Sequence, residues 1–183
     1  HSAQGALADY YRQIHLYFLL GNKGSELNTS AEQQAIYASL PKKGALLQRL
    51  FYANYTQYCK RQERQTPNFQ KLYAALIERY QHKEVIPERV PKAWRQRFLD
   101  GSRPLMPYTN LLTFNFRAIT IYVTCLLNCP WVYLLVEIIV CNLMMVHMHR
   151  SHERLCREML AALPMAPESP ESPESPESPE NPA

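Results

Sequence analysis

The chain has no glycine-rich phosphate loop, no nucleophile elbow and no Cys/His pair with supporting residues, so spacing alone gives it no complete catalytic constellation. Strand signals are missing throughout, which excludes β and mixed architectures. Five cysteines, at 59, 125, 129, 141 and 156, form no double Cys-x-x-Cys. That excludes a zinc ribbon, and an odd count without a framework argues for reduced thiols facing membrane and cytosol. No signal peptide is visible and the sequence starts at His1, not Met, which reads as a piece of something longer. No nucleic-acid recognition module accompanies the basic charge, so nucleic acid is not an expected partner.

What the chain does have is two short apolar stretches, Leu111–Leu127 and Trp131–Val146, joined by Asn128-Cys129-Pro130. Each carries one charge, Arg117 in the first and Glu137 in the second. The apolar residues wrap right round each helix instead of forming a stripe, which is the pattern of a helix surrounded by lipid. A full span needs about 17–25 residues, so the first stretch is just long enough and the second is marginal. The mean hydropathy of −0.35 hides this because a polar tail dilutes it.

Charge sets the expected orientation. Arg89, Lys92, Arg95, Arg97 and Arg103 precede the hairpin, and Arg150, Arg154 and Arg157 follow it. Both ends are therefore expected in the cytoplasm, as part of a multi-pass protein of the cytoplasmic membrane. An ionisable residue inside a span is a candidate site. Arg117 and Glu137 differ in depth by about one helical turn at ~1.5 Å per residue, which predicts an intramembrane ion pair or a contact of Arg117 with a substrate phosphate.

The rest of the body, 21–104, is expected to be a cytoplasmic helical insert. Gly5–Leu20 reads as the end of a membrane helix (1–20), with Ala6, Leu7, Tyr10, Ile14, Tyr17 and Phe18 on one side and Asp9, Arg12 and His15 elsewhere. Gly21-Asn22-Lys23-Gly24 ends it. Thr29-Ser30-Ala31-Glu32 is a capping box opening a helix that stops at Pro41. A helix over 45–65 carries Leu47, Leu50, Phe51, Asn54, Tyr55 and Tyr58 along one stripe. Thr66 as N-cap with Pro67 at the first position opens another, whose apolar set is Phe69, Leu72, Tyr73, Leu76, Ile77 and Tyr80.

Over 87–99, Val90, Trp94 and Phe98 share a face ringed by Arg89, Lys92, Arg95 and Arg97. That composition suits a helix in the headgroup region, with Arg95 and Arg97 on lipid phosphates; the alternative is a surface helix docked on the insert. The hairpin region extends over 105–163, with spans near 111–127 and 131–148 and a basic cytoplasmic end. There His149, His152 and Cys156 align on one face at metal-compatible spacing, beside His147, but headgroup-facing imidazoles explain them equally and no metal site is assigned.

The tail, 164–183, repeats Glu-Ser-Pro, and proline at every third residue forbids helix and ladder, leaving a disordered acidic brush or linker. Five of the chain's 16 acidic residues lie there, so the body sets 20 basic residues against 11, a net +9. Such a body favours an anionic lipid surface or a phosphorylated ligand.

Several blocks between His1 and about Leu160 resemble the C-terminal part of bacterial CDP-alcohol phosphatidyltransferases. They are Ala8-Asp9-Tyr10-Tyr11-Arg12, Lys23-Gly24-Ser25-Glu26-Leu27, Tyr55-Thr56, Gln62-Glu63, Thr66-Pro67-Asn68-Phe69-Gln70, the run from Pro104 to Asn115 with Arg117, and His152-Glu153 with Cys156. The resemblance implies a six-helix integral membrane fold, all-α, of which this chain holds the end of the fourth helix plus the fifth and sixth. It also implies transfer of a phospho-alcohol or phosphatidyl group from a CDP-linked donor to an alcohol acceptor, with a homodimer unsurprising.

The family's Asp-x-x-Asp-Gly-x-x-Ala-Arg signature, with a later glycine and two more aspartates, holds its Mg or Mn ions and supplies the base. The signature is absent here: the single Asp-Gly, Asp100-Gly101, lacks every other element. No catalytic or metal residue is therefore carried over, no cofactor is expected on this chain, and the chain alone is expected to be inactive. The competing reading is a non-enzymatic membrane-anchored scaffold that binds anionic lipid.

Overall fold

The computed structural model describes residues 2–163 apart from 22–24, 26, 42 and 43. The Glu-Ser-Pro tail and most of the 22–26 turn lie outside the described residues. Among those described there is no strand and the fold is all-α. The helices are α1 Ser2–Leu20, α2 Ser30–Ser39, α3 Leu46–Gln65, α4 Pro67–Tyr80, α5 Ile86–Arg89 and α6 Lys92–Ser102. After a 3-10 turn, Arg103–Leu105, come α7 Met106–Leu111 and α8 Phe114–Leu126. The last, α9, runs Trp131–Ala161 and contains a π turn at Val136–Val140.

Local chemistry explains the boundaries. Gly21 closes α1 at φ +68, the left-handed region where only glycine avoids a Cβ penalty. At α2 the Thr29 hydroxyl accepts from the Glu32 amide and the Glu32 carboxylate accepts from the Thr29 amide at 2.9 Å, a closed capping box. Pro67 takes the first position of α4, but Thr66 is not its side-chain cap. The Thr66 hydroxyl instead donates back to the Gln62 carbonyl at 2.9 Å, because Thr66 also caps the C-terminus of α3. Gly101 serves packing: a Cβ there would meet Leu155 Cδ1 at 2.5 Å, so its absence lets α6 approach α9.

The core gathers around α1. Tyr11, Ile14, Tyr17 and Phe18 are fully buried against Phe69, Leu72 and Leu76 of α4, Phe98 of α6, and Met148 and Met159 of α9. Aromatic contacts knit it, with Phe18 4.4 Å from Phe98 and Tyr10 edge-on to Phe69 at 5.9 Å. Burying each such ring contributes up to ~3 kcal/mol. α1 is therefore the centre of a bundle, and His15 is buried too, bonded to the Ser102 hydroxyl at 2.7 Å. It does not stand apart with Asp9 and Arg12, which pair at the surface at 2.9 Å.

Three expectations change. Trp94 is not at a lipid interface: it is buried, stacks near Phe98 and donates its indole N–H to the Met159 carbonyl at 3.1 Å. The docked alternative is the observed one, because a continuous face of Val90, Trp94 and Phe98 meets α1 and α9. The stripe on α3 points outward in its first half, where Leu47 is 81% exposed and Phe51 61%. Only the second half meets α1, burying Thr56, Cys59 and Gln62; α2, with 10 residues against 20, is too short to cover the remainder.

Third, the first apolar stretch is not a span from Leu111. The chain breaks at Leu112–Thr113, where Thr113 is extended, and α8 keeps 13 residues. At ~1.5 Å per residue that is about 20 Å, short of the ~30 Å hydrocarbon core. Among the described residues one helix, α9, is long and apolar enough to cross a membrane.

Candidate functional site

The break before α8 is held by Arg117. Only 4% exposed, it donates from Nη1 to the Leu112 carbonyl at 2.6 Å, from Nε to Glu137 Oε2 at 2.8 Å, and from Nη2 to Gln4 Oε1. Gln4 passes the network on, its Nε2 donating to Asn142 Oδ1 at 2.6 Å, and Asn142 donates to the Ile138 carbonyl at 2.7 Å. Arg117 and Glu137 thus meet, although they stand 20 residues apart in sequence.

Glu137 sits in the π turn. Such turns leave a helical residue out of the regular ladder and recur at functional sites. Here the turn and the α7–α8 break face each other across one guanidinium, with the first turn of α1 as third party. Three of the five N–H donors of Arg117 are committed inside the protein. The geometry therefore serves to lock three segments together, since a buried guanidinium with its carboxylate removed would leave an uncompensated charge.

Arg95 and Arg97 are not part of this network. They stand on α6, which packs near Phe18, whereas Arg117 binds Gln4, and 14 helical residues separate those two points by about 20 Å. Arg95 donates to the Pro87 carbonyl at 2.8 Å, and Arg97 is exposed.

A second polar cluster lies further along α9. His152, fully buried, stacks on Tyr11 at 4.1 Å and places Nδ1 3.5 Å from the Cys156 sulfur. The Tyr11 hydroxyl meets His149 Nδ1 at 2.6 Å, while His147 packs against Tyr108 outside. His152 and Cys156 thus point into the bundle. Among the described residues no three His, Cys, Asp or Glu side chains come together to hold a metal ion.

The cluster also contains a cap that no local pattern announces. Glu153 Oε2 accepts from the Asn68 amide at 2.8 Å and its backbone carbonyl from the Asn68 side chain at 3.2 Å. A carboxylate at the start of α4 complements the positive end of that helix. Thr66-Pro67 signals the helix start, but its partner lies 85 residues away.

In the helical region over α2–α4, charge and burial act in opposite directions. Burial raises the Glu32 carboxyl, but hydrogen bonds from Lys83 and Thr29 outweigh it and hold the group below its ordinary value. Burial, with Glu63 nearby, pushes the Cys59 thiol up to about 11, so it is a packing group and not a nucleophile. Comparison with protein-family models, with curated proteins and with solved structures finds no match.

Proposed function

We propose that this chain is the membrane-embedded C-terminal part of a CDP-alcohol phosphatidyltransferase, which moves a phospho-alcohol or phosphatidyl group from a CDP-linked donor to an alcohol and releases CMP. The signature aspartates, and the Mg or Mn they hold, come from residues outside 1–183. α8 and the first half of α9 enter the cytoplasmic membrane from one side, with both outer ends in the cytoplasm.

One observation carries the membrane part. Phe114, Ile119, Tyr122 and Leu126 on α8 and Trp131, Leu134, Ile138 and Leu143 on α9 are each between 56% and 71% exposed. Only 11% of the most apolar window of α9 is buried, whereas the core helix of a soluble protein would be covered. Local bilayer thinning accommodates the short α8 at modest cost. The transferase part rests on the resembling residue blocks and on Arg117 with Glu137, which hold the hairpin to the body.

The test has two readouts. The purified chain is expected to float with phosphatidylcholine vesicles and to resist extraction by urea. Alone it is expected to release no CMP from a CDP-linked donor, and to support release only when joined to a segment bearing the aspartate signature. Turnover by residues 1–183 alone, or a coding sequence before His1 without that signature, overturns the assignment. The absence of the signature and the arginines that follow the apolar run favour a second reading, a scaffold that anchors to anionic lipid without catalysis. Floating without any rescue of turnover supports it.

A further inference from the structure

No part of the proposed transferase uses the Glu-Ser-Pro repeat. From Pro164 to Pro182 a proline stands at every third residue, and the five glutamates of the segment are also three apart. A polyproline II helix has three residues per turn, so this spacing puts the prolines on one edge and the glutamates on another. Along each edge they recur about every 9.3 Å, at ~3.1 Å per residue. Proline edges of this kind dock into grooves lined by aromatic rings, at a low cost in chain entropy.

α3 carries such a groove on the side that meets α1. Phe51, Tyr55 and Tyr58 form a row, with ring centroids 5.9 and 5.8 Å apart and planes within 10° and 14° of parallel. Phe51 is 61% exposed, and the two tyrosines are half-buried. Beside the row lie two cavities, one of about 590 Å³ walled by Phe51, Tyr52 and Tyr55, the other of about 300 Å³ walled by Tyr55 and Tyr58. Tyr55 and Asn28 are walls of both. Phe51 and Tyr58 stand about 10.5 Å apart along the helix axis, close to one turn of polyproline II. Asn28 holds Nδ2 3.4 Å from the Tyr55 hydroxyl, and its amide has a second N–H to give to a carbonyl. Asp9, at the edge of the smaller cavity, is offset by its pairing with Arg12 at 2.9 Å.

The tail begins within reach of this groove. α1 runs in the same direction as α9, since Gln4 meets Asn142 and Tyr11 meets His149. α3 runs against α1, with Gln62 at Ala6 and Tyr58 near Asp9. The end of α9, the end of α1 and the start of α3 therefore share one end of the bundle. Crossing two helices takes about 20 Å at ~10 Å each. The six steps from Pro164 to Pro170 span about 19 Å when extended, which leaves Pro173, Pro176 and Pro179 for the groove. Charge favours the approach, because the body sets 20 basic residues against 11 acidic ones while the tail is purely acidic.

We propose that the tail, 164–183, folds back and docks in the α3 groove of its own chain as a polyproline II segment. One proline packs against Phe51 and Tyr55, the next against Tyr55 and Tyr58, and the glutamates face outward. The bound tail covers an aromatic row that the helical insert leaves open.

The experiment places a photo-cross-linker in the full chain as Ser175→benzoylphenylalanine, irradiates it dilute in neutral detergent and maps the adduct by mass spectrometry. The adduct is expected within 51–58 of α3, in a monomeric species. Phe51→Ala/Tyr55→Ala is expected to lower its yield at least about fivefold, with helical circular dichroism unchanged. Pro173→Ala/Pro176→Ala, which leaves the body untouched and keeps all five glutamates, is expected to do the same. Replacing the five glutamates by glutamine is expected to lower the yield by no more than about twofold. The proposal is overturned by adducts on Arg150–Arg157 of α9, by adducts between two copies, or by none on the body. A yield indifferent to the rings or to the prolines overturns it equally.

Discussion

α9 is one continuous helix with two different halves. From Trp131 to Val140 none of its residues is buried, and apart from a half-buried stripe at Val132, Tyr133, Val136 and Glu137 its large side chains lie exposed. Beyond Val146 it becomes one-sided: Met148, His152, Cys156 and Met159 point inward at spacings of four, four and three, while Arg150, Arg154 and Arg157 face out. The second half has the pattern of a helix packed on a body in water. The first half satisfies its backbone alone and leaves its apolar surface to some other solvent. On the membrane reading proposed above, a single helix passes from one solvent to another, and the polar clasp of Arg117, Glu137, Gln4 and Asn142 lies near the change.

The contrast is broken most forcefully in the bundle. Phe98 is fully buried between Phe18, Trp94 and His152. Phe98→Ala is expected to cost about 3–5 kcal/mol, read as a fall in the unfolding midpoint in detergent. Ile138→Ala, at a residue 63% exposed, is expected to change that midpoint by less than about 0.5 kcal/mol. Equal losses would mean that the hairpin is packed like the bundle.

Next comes the clasp. Arg117→Met removes the guanidinium that bonds Glu137, whose side chain is 18% exposed, the Leu112 carbonyl and Gln4, and is expected to destabilise by about 3 kcal/mol. Arg117→Met/Glu137→Leu is expected to recover most of that loss, because both halves of the ion pair are then replaced by apolar groups. A single-variant loss below about 1 kcal/mol would show that the pair is as weak as a solvated one.

The smallest effect is at Glu32, which bonds Thr29 and pairs with Lys83 at 2.5 Å. Its folded-state carboxyl titrates below the unfolded one. Its contribution is therefore fully present above the unfolded value, about 4.3, and disappears as pH falls through the folded value. Its side chain is 39% exposed, so solvent screens the pair. Glu32→Gln, which can still close the capping box, is expected to lower stability at pH 7 by no more than about 1 kcal/mol. The difference from wild type should vanish in acid; one that persists below pH 3 would assign it to the cap and not the charge.

What could be read from the sequence follows from the range of each signal. The capping box at Thr29–Glu32, the proline start of α4 and the stripe from Phe69 to Tyr80 are local, and the structure has them where the pattern puts them. The meeting of Arg117 with Glu137 was within reach because a hairpin fixes depth from residue count. The break at Leu112 was not, since it depends on a carbonyl accepting from Arg117 five residues on, in a stretch whose hydropathy is unbroken. The sequence leaves two alternatives for Trp94 because a face of Val90, Trp94 and Phe98 looks the same whether lipid or α1 covers it. Glu153 shows the limit most clearly, because its partner at the start of α4 is set by tertiary packing alone.

The central claim is that the first half of α9 lies in lipid while the bundle does not. The chain has two tryptophans, and Trp131 begins the exposed half while Trp94 is buried in the bundle. In a Trp94→Phe variant reconstituted into vesicles, all indole fluorescence comes from Trp131. Lipids brominated on the acyl chain are expected to quench it strongly, and aqueous acrylamide only weakly. Strong quenching by acrylamide with none from brominated lipid would contradict the account.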